Sequence, residues 1–181
     1  MDLIDAARRG REAAFLQLFE EHHLPLYRFA YRLTGSASDA EDVVQECFME
    51  LLRPACSYDP DRSSLRTYLF GVVRNQSLKR RRRSVPSPGE AAEPRAEGSP
   101  ESRVLHTELE DVVARAVMQL PETQKEVLIL AHYEQMPLAE IARVMALDLG
   151  AVKSRLQRAR AALKETLAAY APGGNRERYR T

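Results

Sequence analysis

At 181 residues the chain is long enough for one large domain or two small ones, and a composition 44% hydrophobic and 29% charged can fill a core. No stretch approaches the ~20 apolar residues of a membrane helix, and the N-terminus MDLIDAARRG lacks the apolar core of a secretory signal, so the expected compartment is the cytoplasm, with no membrane span. The net charge of +1 argues against a nucleic-acid partner only until its distribution is counted: residues 1–56 hold ten acids and six bases, residues 57–83 two acids and eight bases, residues 84–103 four acids and two bases.

In chain order, the first clear pattern is Ala13 to Leu33, where Phe15, Leu18, Phe19, Leu26, Phe29, Ala30 and Leu33 recur at helical spacing and Gly35 supplies a stop. Pro25 interrupts the run and predicts a break or kink. A second helix is expected from Asp39 to Arg53, opened by a capping box of Ser38 and Glu41, with Val44, Cys47, Phe48 and Leu51 as its buried stripe. Opposite that stripe stand Asp39, Asp42, Glu46 and Met49. Acids in a first turn complement the helix dipole. Asp42 and Glu46, however, are like charges one turn apart, which costs a few tenths of a kcal/mol in an isolated helix. With an exposed Met beside them, they predict a partner-binding face.

The segment YDPDRSSLRTYLFGVVRNQSLKRRRR follows, from Tyr58 to Arg83. Asp59-Pro60-Asp61 marks a loop, and Leu65 to Lys79 reads as a helix that the basic run extends. Tyr58, Tyr68 and Phe70 are interleaved with Arg62, Arg66 and Arg74, a mixture suited to unstacked bases because rings stack on any base and cations hold the strand. Leu69 and Val72 are assigned to the core. From Ser84 to Arg103 four prolines and two glycines leave Val85 as the one apolar residue beyond Pro and Ala, the composition of a flexible linker. As a coil of 20 residues it averages about 25 Å end to end.

Beyond the linker, Leu105, Leu109, Val112, Val113, Ala116 and Val117 make one amphipathic helix; Pro121 opens a second, with Val127, Leu128 and Ala131 inward; and Pro137 opens a third, carrying Leu138, Ile141, Ala142 and Met145. A short break at Ala146–Leu147 precedes Asp148 as N-cap of a fourth, the pattern of a helix-turn-helix. In that last helix, from Leu149 to Leu167, Val152, Leu156, Ala159, Leu163 and Leu167 form a seam. The opposite arc carries Gly150, Ala151, Ser154, Gln157 and Ala161, flanked by Lys153, Arg160 and Lys164 on one side and Arg155 and Arg158 on the other. Small residues let the backbone approach a groove floor while flanking cations reach both phosphate walls, and Lys153, Ser154, Arg155 and Arg158 lie near the N-terminal end, where base edges are read. No Gly-rich phosphate loop, H-E-x-x-H or nucleophile elbow is present, Cys47 reads as a small buried hydrophobe, and the four histidines are scattered; neither catalysis, cofactor nor metal is expected.

Four motifs, DAEDVVQECF at 39–48, LRTYLFGVVRN at 65–75, LPETQKEVLIL at 120–130 and LAEIARVMALDLGAVKSRLQRAR at 138–160, together resemble the extracytoplasmic-function sigma factors, promoter-recognition subunits of bacterial RNA polymerase. The resemblance covers nearly the whole chain in the family's order. It implies an all-α fold of two small helical domains joined by the linker: residues 1–83 for core polymerase and the −10 element, 104–171 for the −35 element, and a tail at 172–181. By that resemblance Asp39, Asp42, Gln45 and Glu46, with Met49, meet core RNA polymerase. Tyr58, Arg62, Arg66, Tyr68, Arg74, Asn75, Lys79 and Arg80 hold the melted −10 strand. Gly150, Ala151, Lys153, Ser154, Arg155, Gln157, Arg158 and Arg160 read promoter duplex at −35. An anti-sigma factor is a further implied partner. The sequence departs from the family at Tyr68, where Trp is usual, at Leu65, usually aromatic, at Lys79, usually acidic, and at Ala146, where a turn Gly is common. The competing reading is a helix-turn-helix regulator that binds DNA without polymerase.

Overall fold

The computed structural model describes residues 3–84 and 108–170, and every regular element among them is helical. The helices are α1 (Leu3–Arg8), α2 (Glu12–Thr34), α3 (Ala37–Leu52), α4 (Leu65–Ser84), α5 (Glu108–Met118), α6 (Glu122–Leu128), α7 (Leu138–Met145) and α8 (Leu149–Leu167). They fall into two compact units, the first built on α1 to α4 and the second on α5, α6, α8 and α7 as far as Ala142. Apart from Ser84, which closes α4, the expected linker and the tail at 172–181 lie outside the described residues, as does Leu105.

In the first unit α2 packs against α1, α3 and α4. Leu26, Phe29 and Ala30 are fully buried, and the Phe29 ring meets Phe70 at 5.2 Å between centroids. Of the break or kink expected at Pro25, the break does not occur: α2 runs as one helix of 23 residues with the proline inside it. Leu18 on one side of the proline and Leu26 and Phe29 on the other are held in the same core. Burying each is worth about 1.5–3 kcal/mol, enough together to exceed the ~3 kcal/mol proline penalty. The Glu21 carbonyl, which loses its i+4 donor to the proline, belongs to a residue lining an open cavity of ≈ 180 Å³ with His22, Pro25 and Arg66.

Gly35 ends α2 in the left-handed region at φ 72°, its N–H donating to the Tyr31 carbonyl. The next residue, Ser36, is extended and caps α3, its hydroxyl accepting from the Asp39 N–H at 3.2 Å. The expected Ser38–Glu41 box is therefore displaced by two residues, because the chain reverses within Gly35–Ser36 and is already helical at Ser38. The stripe of Val44, Cys47, Phe48 and Leu51 is buried, joined by Ala40 and Val43. Burial raises the Cys47 thiol pKa to about 12. On α4 the core residues are Leu69, Phe70 and Val73, whereas Val72 is half-buried. Phe70, grouped from the sequence with base-stacking aromatics, is a core residue. Val73, one turn on from Leu69, takes the place assigned to Val72.

In the second unit α8 packs on α5 and α6. After Pro121, α6 passes into a π-helical turn at Ile129–Tyr133 that keeps Ile129 and Leu130 buried while His132 and Tyr133 stay exposed. Val127 and Leu128 are buried as expected, and Ala131 is half-buried. On α8, Val152, Leu156 and Ala159 are buried, and Leu163 and Leu167 continue the seam half-buried.

Candidate nucleic-acid and protein interfaces

Between α7 and α8 the chain turns as the sequence indicates. Ala146 adopts φ 52°, and the Leu147 N–H donates to the Ala142 carbonyl at 2.9 Å, the bond pattern of a left-handed helix terminus. Asp148 is extended, and its carboxylate accepts from the Ala151 N–H at 2.8 Å, starting α8. Gly150 has a local reason to lack a side chain: a Cβ there would stand 3.0 Å from the Asp148 Oδ1.

Gly150, Lys153, Ser154, Gln157, Arg158 and Arg160 are exposed on α8, and Ala151 and Arg155 are half-buried. Two of the cations rest on protein groups. Arg158 folds back along its own helix, its Nη2 donating to the Ser154 hydroxyl at 3.2 Å. Arg160 Nε donates to His132 Nε2 at 3.2 Å. His132 carried no signal in the sequence; only the π-helical turn sets it beside α8.

The residues assigned to a single strand divide over α4. Tyr58 and Tyr68 pair with ring centroids 5.3 Å apart, and the Tyr68 hydroxyl lies 3.4 Å from Cys56 Sγ. Burial, followed by the bond to Cys56, raises the Tyr68 pKa to about 12. Arg62 is exposed on the loop before α4. Arg66 sits over the Phe70 ring, 5.2 Å from its centroid, in the cavity shared with His22. Residues two apart on a helix point in nearly opposite directions, so Arg66 and Tyr68 lie on different flanks. Arg74, Asn75 and Lys79 line a groove of ≈ 450 Å³ with Leu78 and Arg82, spaced at i, i+1, i+4, i+5 and i+8 along one face.

Arg80 lies elsewhere. Its guanidinium crosses to α3, with Nη1 2.9 Å from Asp42 Oδ2 and 3.6 Å from Asp39 Oδ1, and Nη2 2.5 Å from Glu46 Oε1. One turn earlier on α4, Gln76 Nε2 donates to Glu50 Oε2 at 3.2 Å. Burial alone would lower the Arg80 pKa, yet the hydrogen bonds to Asp42 and Glu46 hold it above its ordinary value. The like-charge repulsion between Asp42 and Glu46, read from the sequence as a sign of a partner, is thus offset within the chain. Gln45, Asp42, Glu46 and Met49 remain exposed on α3, Met49 at 58%, while Asp39 is half-buried beside Arg80. Positions 42 and 80 are too far apart in sequence for helical periodicity to couple them.

Two helical units, one with an acidic helix face beside a basic helix and the other with a helix-turn-helix, have the geometry of a DNA-binding protein. Residues 18–85 match the model of Sigma-70 region 2, and residues 110–163 that of Sigma-70 region 4. Among curated relatives, the ECF RNA polymerase sigma factor SigL of Mycobacterium tuberculosis is 33% identical over 92% of this chain and 96% of its own length. SigM from the same organism is 32% identical over 92% and 83%, and SigW of Bacillus subtilis 27% over 91% and 94%. Of solved structures, CnrH in complex with the cytosolic domain of CnrY aligns with a TM-score of 0.69 at 27% identity, covering 92% of this chain and 96% of that one. RpoE in complex with the anti-sigma factor NepR from Bartonella quintana aligns at 0.65 and 27%, covering 85% and 96%. The chain belongs to the ECF sigma factor family.

Proposed function

We propose that the chain is a promoter-recognition subunit that binds core RNA polymerase and directs it to promoters with −10 and −35 elements, without catalysis of its own. Residues 1–83 act as one module and 104–171 as the other, in the cytoplasm. The observation that carries the reading is α8: a capped helix behind a left-handed turn, with exposed small residues at its start and exposed cations beside them. In this reading Gly150, Ala151, Lys153, Ser154, Arg155, Gln157, Arg158 and Arg160 meet the −35 duplex. Arg158 and Arg160 exchange weak contacts at Ser154 and His132 for DNA. The Tyr58–Tyr68 pair with Arg62, and the groove of Arg74, Asn75 and Lys79, capture the melted −10 strand; Arg66 and Arg80 border it from their places on α4. Stacking of flipped bases offsets an unstacking cost of a few kcal/mol. Asp39, Asp42, Gln45, Glu46 and Met49 face polymerase. The related structure of RpoE bound to the anti-sigma factor NepR supports an anti-sigma factor as a further partner of this chain.

The test mixes the chain with core polymerase and genomic fragments and maps transcription starts. New, discrete starts are expected; polymerase that gains none refutes the reading. Asp42→Lys with Glu46→Lys is expected to abolish polymerase binding and leave duplex binding by residues 104–171 of the same full chain intact, while Arg155→Ala is expected to weaken duplex binding and spare polymerase association. A regulator acting without polymerase would retain its promoter effect in the first variant, and it gives the region-2 match over residues 18–85 no task.

A further inference from the structure

Two assignments made for different partners meet in one contact: Arg80, placed among DNA-binding cations, is held by Asp39, Asp42 and Glu46, placed on the polymerase face. We propose that Arg80 is an exchange residue, a stand-in for the polymerase cations in the free chain that is released to a DNA phosphate when polymerase takes its carboxylates. The inference rests on the polymerase-binding reading of α3.

The contact has the properties an exchange needs. It lies at the rim of the α3–α4 interface, with the Asp42 and Glu46 side chains 53% and 56% exposed. Arg80 itself is 23% exposed, but the oxygens of Asp42 and Glu46 stay open to solvent, so a cationic partner surface can compete for them. Losing the contact does not open the interface. Beneath it Cys47, Leu69 and Val73 are fully buried, and the Gln76–Glu50 hydrogen bond is a separate rung of the same interface. Released, Arg80 stands one position, about 100° of helix, from Lys79, which lines the basic groove with Arg74, Asn75 and Arg82. The guanidinium fork that spans two carboxylates also matches a phosphate.

By linkage the exchange acts both ways: any cation that takes the three carboxylates raises the affinity of α4 for a strand by the factor by which a strand raises the affinity of α3 for that cation. Arg80→Ala therefore has effects of opposite sign. In the full chain it is expected to tighten binding to core polymerase by about three- to tenfold at low salt, a gain that fades as salt rises. In the assembled holoenzyme it is expected to weaken binding of a mixed-sequence single-stranded 20-mer and to reduce the salt slope by about 0.7, one single-strand phosphate contact. In an Asp42→Asn, Glu46→Gln background the gain toward polymerase should vanish.

A merely structural Arg80 behaves differently: its loss would lower polymerase affinity and thermal stability together. Weaker or unchanged polymerase binding by Arg80→Ala overturns the exchange, as does an unaltered single-strand salt slope. Arg80→Gln, which keeps a hydrogen-bonding side chain, repeats the measurement should the alanine variant fold poorly. The Asp42→Lys, Glu46→Lys variant separates the two levels. If it still binds polymerase, the reading of α3 fails; if it does not bind and Arg80→Ala brings no gain, the exchange alone fails.

Discussion

Ala146 shows how a single backbone angle carries both strain and meaning. At φ 52° it occupies the region where an L side chain crowds its own carbonyl, and it does so exposed, with no packing to reward its methyl group. The helix-turn-helix still requires that angle, because the left-handed residue lets the Leu147 N–H reach back to the Ala142 carbonyl. Ala146→Gly is expected to stabilise the second unit by about 1 kcal/mol, the left-handed penalty less the extra entropy glycine brings to the unfolded chain. Thermal melting checks it, and a lower melting temperature would mean that the turn stores no strain. The cysteines make a second contrast. Cys47 is fully buried with its thiol pKa raised to about 12, whereas Cys56 is half-buried beside the Tyr68 hydroxyl. An alkylating reagent near neutral pH should label Cys56 in the native chain and Cys47 only after denaturation, as peptide mass mapping would show.

At the scale of elements, α8 depends on its first turn. The Asp148 carboxylate satisfies one of the orphan N–H groups there, and Gly150 leaves it room. Asp148→Ala should cost about 0.5–2 kcal/mol of stability and, on the proposed reading, weaken duplex binding further, since the frayed turn holds Gly150 and Ala151 and leads into Lys153 and Ser154. Unchanged stability with intact DNA binding would show that tertiary packing alone fixes the start of α8. Such caps were readable in advance: Asp148 and Gly35 announce themselves because local backbone chemistry decides them, and the α8 seam follows from a period of 3.6 residues. What escaped were outcomes set by residues far apart in sequence. Pro25 stays inside α2 because Leu18, Leu26 and Phe29 share one core, and Phe70 is buried because Phe29 awaits it. Ser36 caps α3 because the chain has already turned at Gly35. The short α1, with Ile4, Ala6 and Ala7 buried, is too brief to show a period. Periodicity likewise separated an acidic face from a basic helix but could not reveal that Arg80 joins them, nor that a π-helical turn brings His132 to Arg160.

For the whole molecule the decisive quantity is where its charges lie, since a net charge of +1 gives little attraction to DNA at a distance. On the proposed reading, affinity then rests on discrete phosphate contacts from two places: exposed cations of α8 on duplex, and the groove cations of α4 on a melted strand. Each contact releases counterions, so each contributes a countable increment to the slope of log affinity against log salt, about 0.9 on duplex and 0.7 on single strand. Lys164 is exposed on the flank of α8, away from the N-terminal base-reading end, and so should hold phosphate only. In holoenzyme bound to a promoter with its −10 region melted, Lys164→Ala is expected to lower the slope by about 0.9, and Arg74→Ala by about 0.7, with base preference at −35 unchanged in the first. Because the two residues belong to separate compact units, the double variant should lose about 1.6, the sum. A filter-binding series from 50 to 300 mM salt would measure all three. A slope unchanged by Lys164→Ala would remove α8 from the duplex. A double variant well short of the sum would show that the two grips on the promoter are not independent.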